Sequence, residues 1–168
     1  MALGRVDTPL RGTVIVHLSV VRHSSDATTT GKDMTSRAHM EETVRSLYAA
    51  RVRGDLDGTV KDLAEDAVFS LNGRGTGVPA MSEDCCGKTA VRESVGQLID
   101  NWRFDDWTET SLLVDGNKIA LQWTAHVTFV PTRKSATLEA IDVITFRDGK
   151  IVDFRQSTDT AMLMSLAS

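Results

Sequence analysis

Asp142 is a carboxylate at a strand position where apolar residues are expected. Every second residue from 138 to 146 is apolar except Asp142, which shares its face of the predicted strand with Leu138, Ala140, Ile144 and Phe146. A carboxyl on an apolar surface loses hydration, which raises its pKa and lets it act as an acid or hydrogen-bond donor. The alternative is a structural aspartate bonded to a neighbouring hydroxyl or amide, because burial without a partner is costly.

Four further side chains could complete a site around Asp142. Tyr48 lies on the apolar face of the first predicted helix, and Trp123 lies on the neighbouring strand, roughly opposite Asp142. Both are pocket candidates, or they pack in the core. Gln156 and Asn72 could orient a ligand through hydrogen bonds, or they could satisfy a strand end or a loop.

Other reactive residues do not form a recognisable centre. His126 is expected on the outer sheet face beside Glu139, where it would serve a dimer interface. Histidines and carboxylates lack the spacing of metal ligands, so we predict no metal. Cys85 and Cys86 are adjacent, and a disulfide between neighbours is strained. We therefore expect loop thiols in a reducing compartment, the cytoplasm.

Composition excludes several classes of protein. The 168 residues suit one domain, and the formal net charge is -4, with no basic stripe of the kind that nucleic acid requires. No stretch is long enough to predict a membrane span. The glycine-rich segment 73–77 is not followed by the Gly-Lys-Ser/Thr sequence of a phosphate-binding loop.

The N-terminal segment, residues 1–37, differs from the rest of the chain. Residues 24–33 are small and polar with little to bury, so we expect a flexible arm before a domain at 38–168. Either translation starts at Met34, or the arm is genuine and adds a strand.

Three helices are predicted before the meander of strands that begins at residue 107. In each, apolar residues recur at helical spacing on one face. Gly54 suits the end of the first helix and Asp55 the start of the second. The apolar faces consist of Met40, Val44, Leu47 and Tyr48 in the first helix, Leu56, Val60 and Leu63 in the second, and Val91, Val95, Leu98, Ile99 and Trp102 in the third.

The hydrophobic period changes to two from Trp107 onward, which indicates strands. Asp115-Gly116-Asn117 and Asp148-Gly149 are typical of hairpin turns. We predict strands at 67–72, 107–114, 118–130, 135–147 and 150–157, followed by a short helix capped by Asp159. Helices followed by a meander favour an α+β fold.

The faces of the last strand depend on the length of the preceding turn. A three-residue turn places Val152, Phe154 and Gln156 inside, whereas a two-residue turn buries Asp153 and Arg155. We favour the three-residue turn, because burying two charges is costly.

Several motifs occur in an order that resembles the nuclear transport factor 2-like family. They are Arg53-Gly54-Asp55-Leu56-Asp57, Asp66-Ala67-Val68-Phe69, Gly87-Lys88 and Phe146-Arg147-Asp148-Gly149-Lys150-Ile151. The closing residues 159–164 resemble the end of polyketide cyclases of the SnoaL type. The resemblance spans about residues 38–166. It implies a cone-shaped fold, with a hydrophobic pocket between three helices and a curved antiparallel sheet, and frequent dimers.

The run from Leu138 to Phe146 also resembles the ketosteroid isomerase strand that carries the oxyanion-hole aspartate. Asp142 falls on that aspartate, which stays protonated in an apolar site and donates a hydrogen bond to the developing enolate. The general base of that enzyme falls on Leu71, and its catalytic tyrosine falls on Leu47, next to Tyr48. Steroid isomerase activity itself is therefore not expected.

Two hypotheses follow. The first is a cofactor-independent acid–base enzyme, such as an isomerase, cyclase or dehydratase, acting on a small hydrophobic carbonyl compound through Asp142. The second is a non-catalytic module that binds a small apolar ligand or forms a homodimer through the outer sheet face, with Thr124, Thr128, Ile141 and Val143. We expect the pocket to be lined by Tyr48, Phe69, Leu71, Trp102, Trp123, Ala125, Phe154 and Gln156.

Overall fold

The computed structural model describes residues 36–72 and 84–168. Residues 1–35 of the predicted arm, which include Met34, and the segment 73–77 lie outside these ranges, whereas Ser36 and Arg37 belong to the start of the first helix. Helices pack on a sheet of six strands, so the predicted fold class is confirmed. The elements are α1 (Arg37–Val52), α2 (Leu56–Val60), β1 (Leu63–Leu71), β2 (Cys85–Cys86), α3 (Lys88–Asn101), β3 (Trp102–Asp115), β4 (Lys118–Phe129), β5 (Lys134–Arg147), β6 (Lys150–Thr158) and α4 (Thr160–Ala167).

The strand order of the sheet is β2-β1-β6-β5-β4-β3. Strands β3 to β6 form the predicted antiparallel meander. Strand β1 pairs with β6 in parallel, so the sheet is mixed. This pairing places the first strand beside the last, and residues distant in sequence meet on one surface.

Polar side chains cap three of the helices. Ser36 begins α1 by accepting a hydrogen bond from the backbone of His39. Asp55 and Asp159 cap α2 and α4 in the same way, as predicted. Gly54 follows α1 with φ of +70°, a conformation that favours glycine at the end of a helix.

Four residues were assigned to the wrong element. Leu63 and Trp102, predicted in helices, begin β1 and β3. Both side chains are buried, and an inward residue at a helix end has the same pattern as an inward residue at a strand start. Cys85 and Cys86, predicted in a loop, form a short strand that pairs with β1.

Strand β3 begins five residues earlier than predicted, at 102 instead of 107. Its pairing with β4 shifts register twice, between Asp105 and Thr108 and between Glu109 and Ser111. Asp106 has φ of +53° at the first irregularity. Such bulges interrupt the alternation of side chains, so the start of β3 could not be recognised from a period of two.

The last hairpin has a two-residue turn, so the predicted three-residue turn is wrong. Arg147 pairs with Lys150 across Asp148–Gly149, and a bulge near Val152 then shifts the register. Ile151 is buried before the bulge, and Phe154 is buried after it. The predicted inward orientation of Phe154 is therefore confirmed, although Val152 is only partly buried.

The apolar face of the meander forms the core. The predicted inward residues of β4 and β5 are all buried, and they include Asp142. The register places Asp142 opposite Leu121 and His126 opposite Thr137. The predicted pairing of His126 with Glu139 is therefore wrong by one pair of residues. Within the described ranges, no helix is long and apolar enough to cross a membrane.

Candidate active site

Asp142 lies at the centre of the inner sheet face. Its side chain is 0% exposed, and its neighbours on the same face of β5, Ala140 and Ile144, are also buried. Alternation along β5 forces this orientation, because turning Asp142 outward would expose the apolar side chains beside it. The sheet thus holds a carboxyl away from water.

Three side chains donate hydrogen bonds to the Asp142 carboxylate. The Tyr48 hydroxyl and the Trp123 indole donate to Oδ2, the latter at 2.8 Å. The Gln156 amide donates to Oδ1 at 3.0 Å and lies 3.3 Å from the Tyr48 oxygen. The donors come from α1, β4 and β6, so every element around the carboxyl contributes one.

Burial and hydrogen bonding act in opposite directions on Asp142. Burial raises the pKa of this carboxyl, and the donors Tyr48, Trp123 and Gln156 lower it, with a net pKa of about 6. Both charge states are therefore accessible close to neutral pH. Burial, together with the adjacent Asp142 charge, raises the pKa of Tyr48 well above its usual value, so the phenol keeps its proton.

A cavity of about 80 Å³ lies beside this cluster. Five of the predicted pocket residues line it: Tyr48, Phe69, Trp102, Phe154 and Gln156. Most of the remaining wall is apolar and comes from the helices and from Val127 and Leu138.

The other predicted residues lie in the core around the cavity. Leu71, Trp123 and Ala125 are buried and do not belong to the described cavity wall. Asp142 is not part of that wall either, and it contacts Tyr48 and Gln156, which are. A ligand in the cavity would therefore meet Tyr48 and Gln156 first, with the carboxyl behind them.

Asn72 has a structural role at a strand end, one of the two roles considered for it from the sequence. Its amide donates to the Thr158 carbonyl at 3.0 Å and accepts from the Thr158 backbone at 2.9 Å. These bonds join the ends of β1 and β6. Asn72 is exposed and lies outside the cavity wall.

Sequence reasoning missed Arg51, a buried cation on the cavity wall. Its Nη2 donates to the carbonyl oxygens of Leu98 (3.0 Å) and Trp102 (2.8 Å), and the guanidinium lies 4.1 Å from the centre of the Phe104 ring. Burial lowers the pKa of Arg51 to about 10. Helical spacing from Leu47 and Tyr48 was an available signal, because it places Arg51 on their buried face.

Two aromatic residues of β3 were also missed, Phe104 and Trp107. Trp107 stacks on Tyr48 with ring centres 4.8 Å apart, and its indole nitrogen is buried without a partner among the described residues. Trp123 also contacts the Tyr48 ring, with ring centres 5.4 Å apart. The Tyr48 ring thus contacts two indoles, which restrict its orientation.

No group of histidine, cysteine and carboxylate side chains within residues 36–72 and 84–168 is arranged to hold a metal ion. Tyr48 and Arg51 are the ionisable residues of the described cavity wall. The arrangement is therefore suited to proton transfer and to electrostatic recognition.

Known proteins resemble this chain in fold and, more weakly, in sequence. A nuclear transport factor 2-like protein of unknown function from Burkholderia pseudomallei is 27% identical, with 76% of this chain and 96% of that chain covered and a TM-score of 0.67. A candidate isomerase from Bacillus subtilis is 20% identical, covers 77% and 93%, and has a TM-score of 0.70. A candidate polyketide cyclase from Xanthomonas campestris is 20% identical, covers 79% and 98%, and has a TM-score of 0.63.

None of the curated proteins matches the sequence significantly. A family model described as a SnoaL-like domain matches residues 44–154, about two thirds of the chain. The matched region begins on α1 and ends on β6, so it includes Tyr48, Arg51 and Asp142. The fold, the order of motifs and this match agree, and the chain belongs to the SnoaL-like domain family.

Proposed function

We propose that the chain is a cofactor-independent proton-transfer enzyme of the isomerase, cyclase or dehydratase type, acting on a small, largely apolar carbonyl compound. The observation that carries the proposal is the buried Asp142 carboxyl, bonded to two side chains that line an apolar cavity, Tyr48 and Gln156. A carboxyl held in this way can change its charge without contacting solvent. No cofactor is required, because only protons move.

Tyr48 would contact the substrate, and Asp142 would act through it. When Asp142 is ionised, a proton leaving a substrate carbon passes to the Tyr48 oxygen while the tyrosine proton passes to Asp142. The reverse transfer returns a proton to another atom of the substrate, and both side chains end in their starting state. The Gln156 amide donates to Asp142 and lies close to the Tyr48 oxygen, so it holds the pair in line.

The size of the cavity limits the substrate. A cavity of about 80 Å³ with a largely apolar wall suits a small molecule, or the reacting end of a larger one. The proposal therefore concerns short ketones and related carbonyl compounds.

Hydrogen–deuterium exchange provides the test. Protons beside the carbonyl of butanone and cyclopentanone would be followed by NMR in D₂O, with and without the protein. We expect the protein to accelerate exchange, and Tyr48→Phe and Asp142→Asn to reduce the acceleration about 100-fold or more, the range of general acid–base catalysis. The exposed Asp100→Asn provides a matched control that should exchange like the wild type.

Two results would count against the proposal. Wild-type protein that binds the ketones without accelerating exchange would favour the non-catalytic ligand-binding alternative. Exchange that is unchanged in folded Tyr48→Phe would remove Tyr48 from the reaction. Circular dichroism would establish that each variant is folded.

A homodimer is a second proposal, supported by a separate observation. Ile141 and Val143, on the outer face of β5, are 51% and 39% exposed, and Leu113, in line with Val143 but two strands away on β3, is 67% exposed. An apolar strip on a sheet face is typical of a surface that pairs with a second copy. Sedimentation at micromolar concentration should give a dimer, and Ile141→Lys should give a monomer. Met164→Lys, an exposed change on α4, should leave the dimer intact.

A further inference from the structure

Arg51 is a buried cation without a protein anion. Its residue is 7% exposed, and among the described residues it forms no ion pair. By contrast Arg45, on the exposed side of the same helix, pairs with Glu109 at 3.0 Å. Burying a charge without an opposite charge is costly, so the position requires an explanation.

The partners of Arg51 compensate only part of its charge. The Leu98 and Trp102 carbonyls lie at the C-terminal end of α3, where the helix dipole provides a partial negative charge. The Phe104 ring adds a cation–π contact. Both bonds use Nη2, and neither Nε nor Nη1 donates to any residue of the described chain.

The nearest buried carboxylate is already engaged elsewhere. Asp142 accepts hydrogen bonds from Tyr48, Trp123 and Gln156, and none from Arg51. Arg51 also lines the cavity that Tyr48 lines. Arg51 is therefore a residue of the cavity wall whose charge no described carboxylate neutralises.

We propose that the ligand of this cavity carries a carboxylate, which pairs with Arg51 while its carbonyl group contacts Tyr48. The inference rests on the proposed function, because it names the substrate class of the same cavity. Tyr48 and Arg51 are three residues apart on α1, which places their side-chain roots about 5–6 Å apart. Both residues line the same cavity, so a short oxo acid, which carries a ketone and a carboxylate on one small skeleton, is the expected class.

Two probes of the same shape test the charge. They are 4-oxopentanoate and 4-oxopentanamide, which differ only in the anionic group, and their affinities would be measured by NMR titration at pH 7.5. A hydrogen bond to a charged partner contributes about 1.5–3 kcal/mol, so we expect the wild type to bind the carboxylate at least tenfold more tightly. Arg51→Gln should abolish this preference while still binding the amide, and Arg51→Lys should retain part of it.

The control variant is Arg45→Gln, which removes an exposed arginine from the same helix and should keep the tenfold preference. If Arg51→Gln does not fold, the preference of the wild type still decides the question. Equal affinity of wild-type protein for both probes would overturn the inference, and so would a failure to bind either. Neither result affects the ketone exchange test of Tyr48, so the two proposals can fail separately.

Discussion

Replacing Asp142 by asparagine should change how stability depends on pH. The pKa of this carboxyl is raised from 3.8 to about 6 by burial. Between these values the folded protein binds a proton more tightly than the unfolded chain does, so protonation of Asp142 stabilises the fold as the pH falls. As the pH rises through 6, that contribution disappears.

The size of the effect follows from the pKa values. The pKa of Asp142 rises by about two, and each pKa unit corresponds to about 1.4 kcal/mol, so the full effect on the free energy of unfolding is about 3 kcal/mol. Between pH 7.5 and pH 4.5, Asp142 takes up its proton almost completely in the folded protein but only to a small extent in the unfolded chain. The wild type should therefore gain about 2 kcal/mol over Asp142→Asn in that interval, because the variant has no proton to bind. Gln156 can rotate its amide to accept from the new side chain, so the variant should fold.

Urea denaturation of both proteins at several pH values from 4.5 to 7.5 provides the measurement. The difference in the free energy of unfolding between the two proteins removes the contribution of the other carboxylates. Asp100→Asn controls for loss of a carboxylate at an exposed position. Parallel pH profiles for wild type and Asp142→Asn, or a difference of opposite sign, would refute the argument that burial outweighs the three hydrogen bonds.

Three further changes test the surroundings of the site. Tyr48→Phe removes one donor from the buried carboxylate, and urea denaturation at pH 7.5 should show a loss of about 1–3 kcal/mol; a neutral result would mean that water replaces the hydroxyl. Asp159→Ala removes the cap of α4 and should cost about 1 kcal/mol in the same assay, with Ser165→Ala as a control near neutral. Gly149→Ala places a side chain at φ of +76° and should cost about 1 kcal/mol in thermal unfolding, whereas an unchanged melting temperature would show that the turn relaxes.

The residues of the inner sheet face could be predicted because the alternation of apolar and polar residues is visible within each strand. Leu121, Trp123 and Asp142 sit in uninterrupted alternation, and two hairpin turns define the strands around them. A regular period of two leaves one choice of buried face. The position of Asp142 therefore followed from its neighbours in sequence.

Irregular backbone limited the prediction elsewhere. The bulge near Val152 adds one residue to β6, so a two-residue turn and an inward Phe154 are compatible. Bulges in β3 hid its first five residues, which include Phe104. Extra residues of this kind have no compositional signal here, and only the pairing of distant strands reveals them.

The donors to Asp142 were only partly predictable. Alternation identified Trp123 and Gln156 as inward residues, but contact with Tyr48 depends on how α1 packs across the sheet. Arg51 was overlooked because arginine is rarely buried, although its helical position pointed inward. Side chains from separate elements meet only through tertiary packing, which a periodic pattern does not describe.

The hydrogen bonds of Tyr48 join the two ends of the folded domain. Its partners are 94 and 108 residues away in sequence. Such distant contacts require closure of a long chain segment, which is slow compared with formation of a single helix. The site should thus be among the last features to assemble during refolding, and recovery of ligand binding would report completion of the native fold.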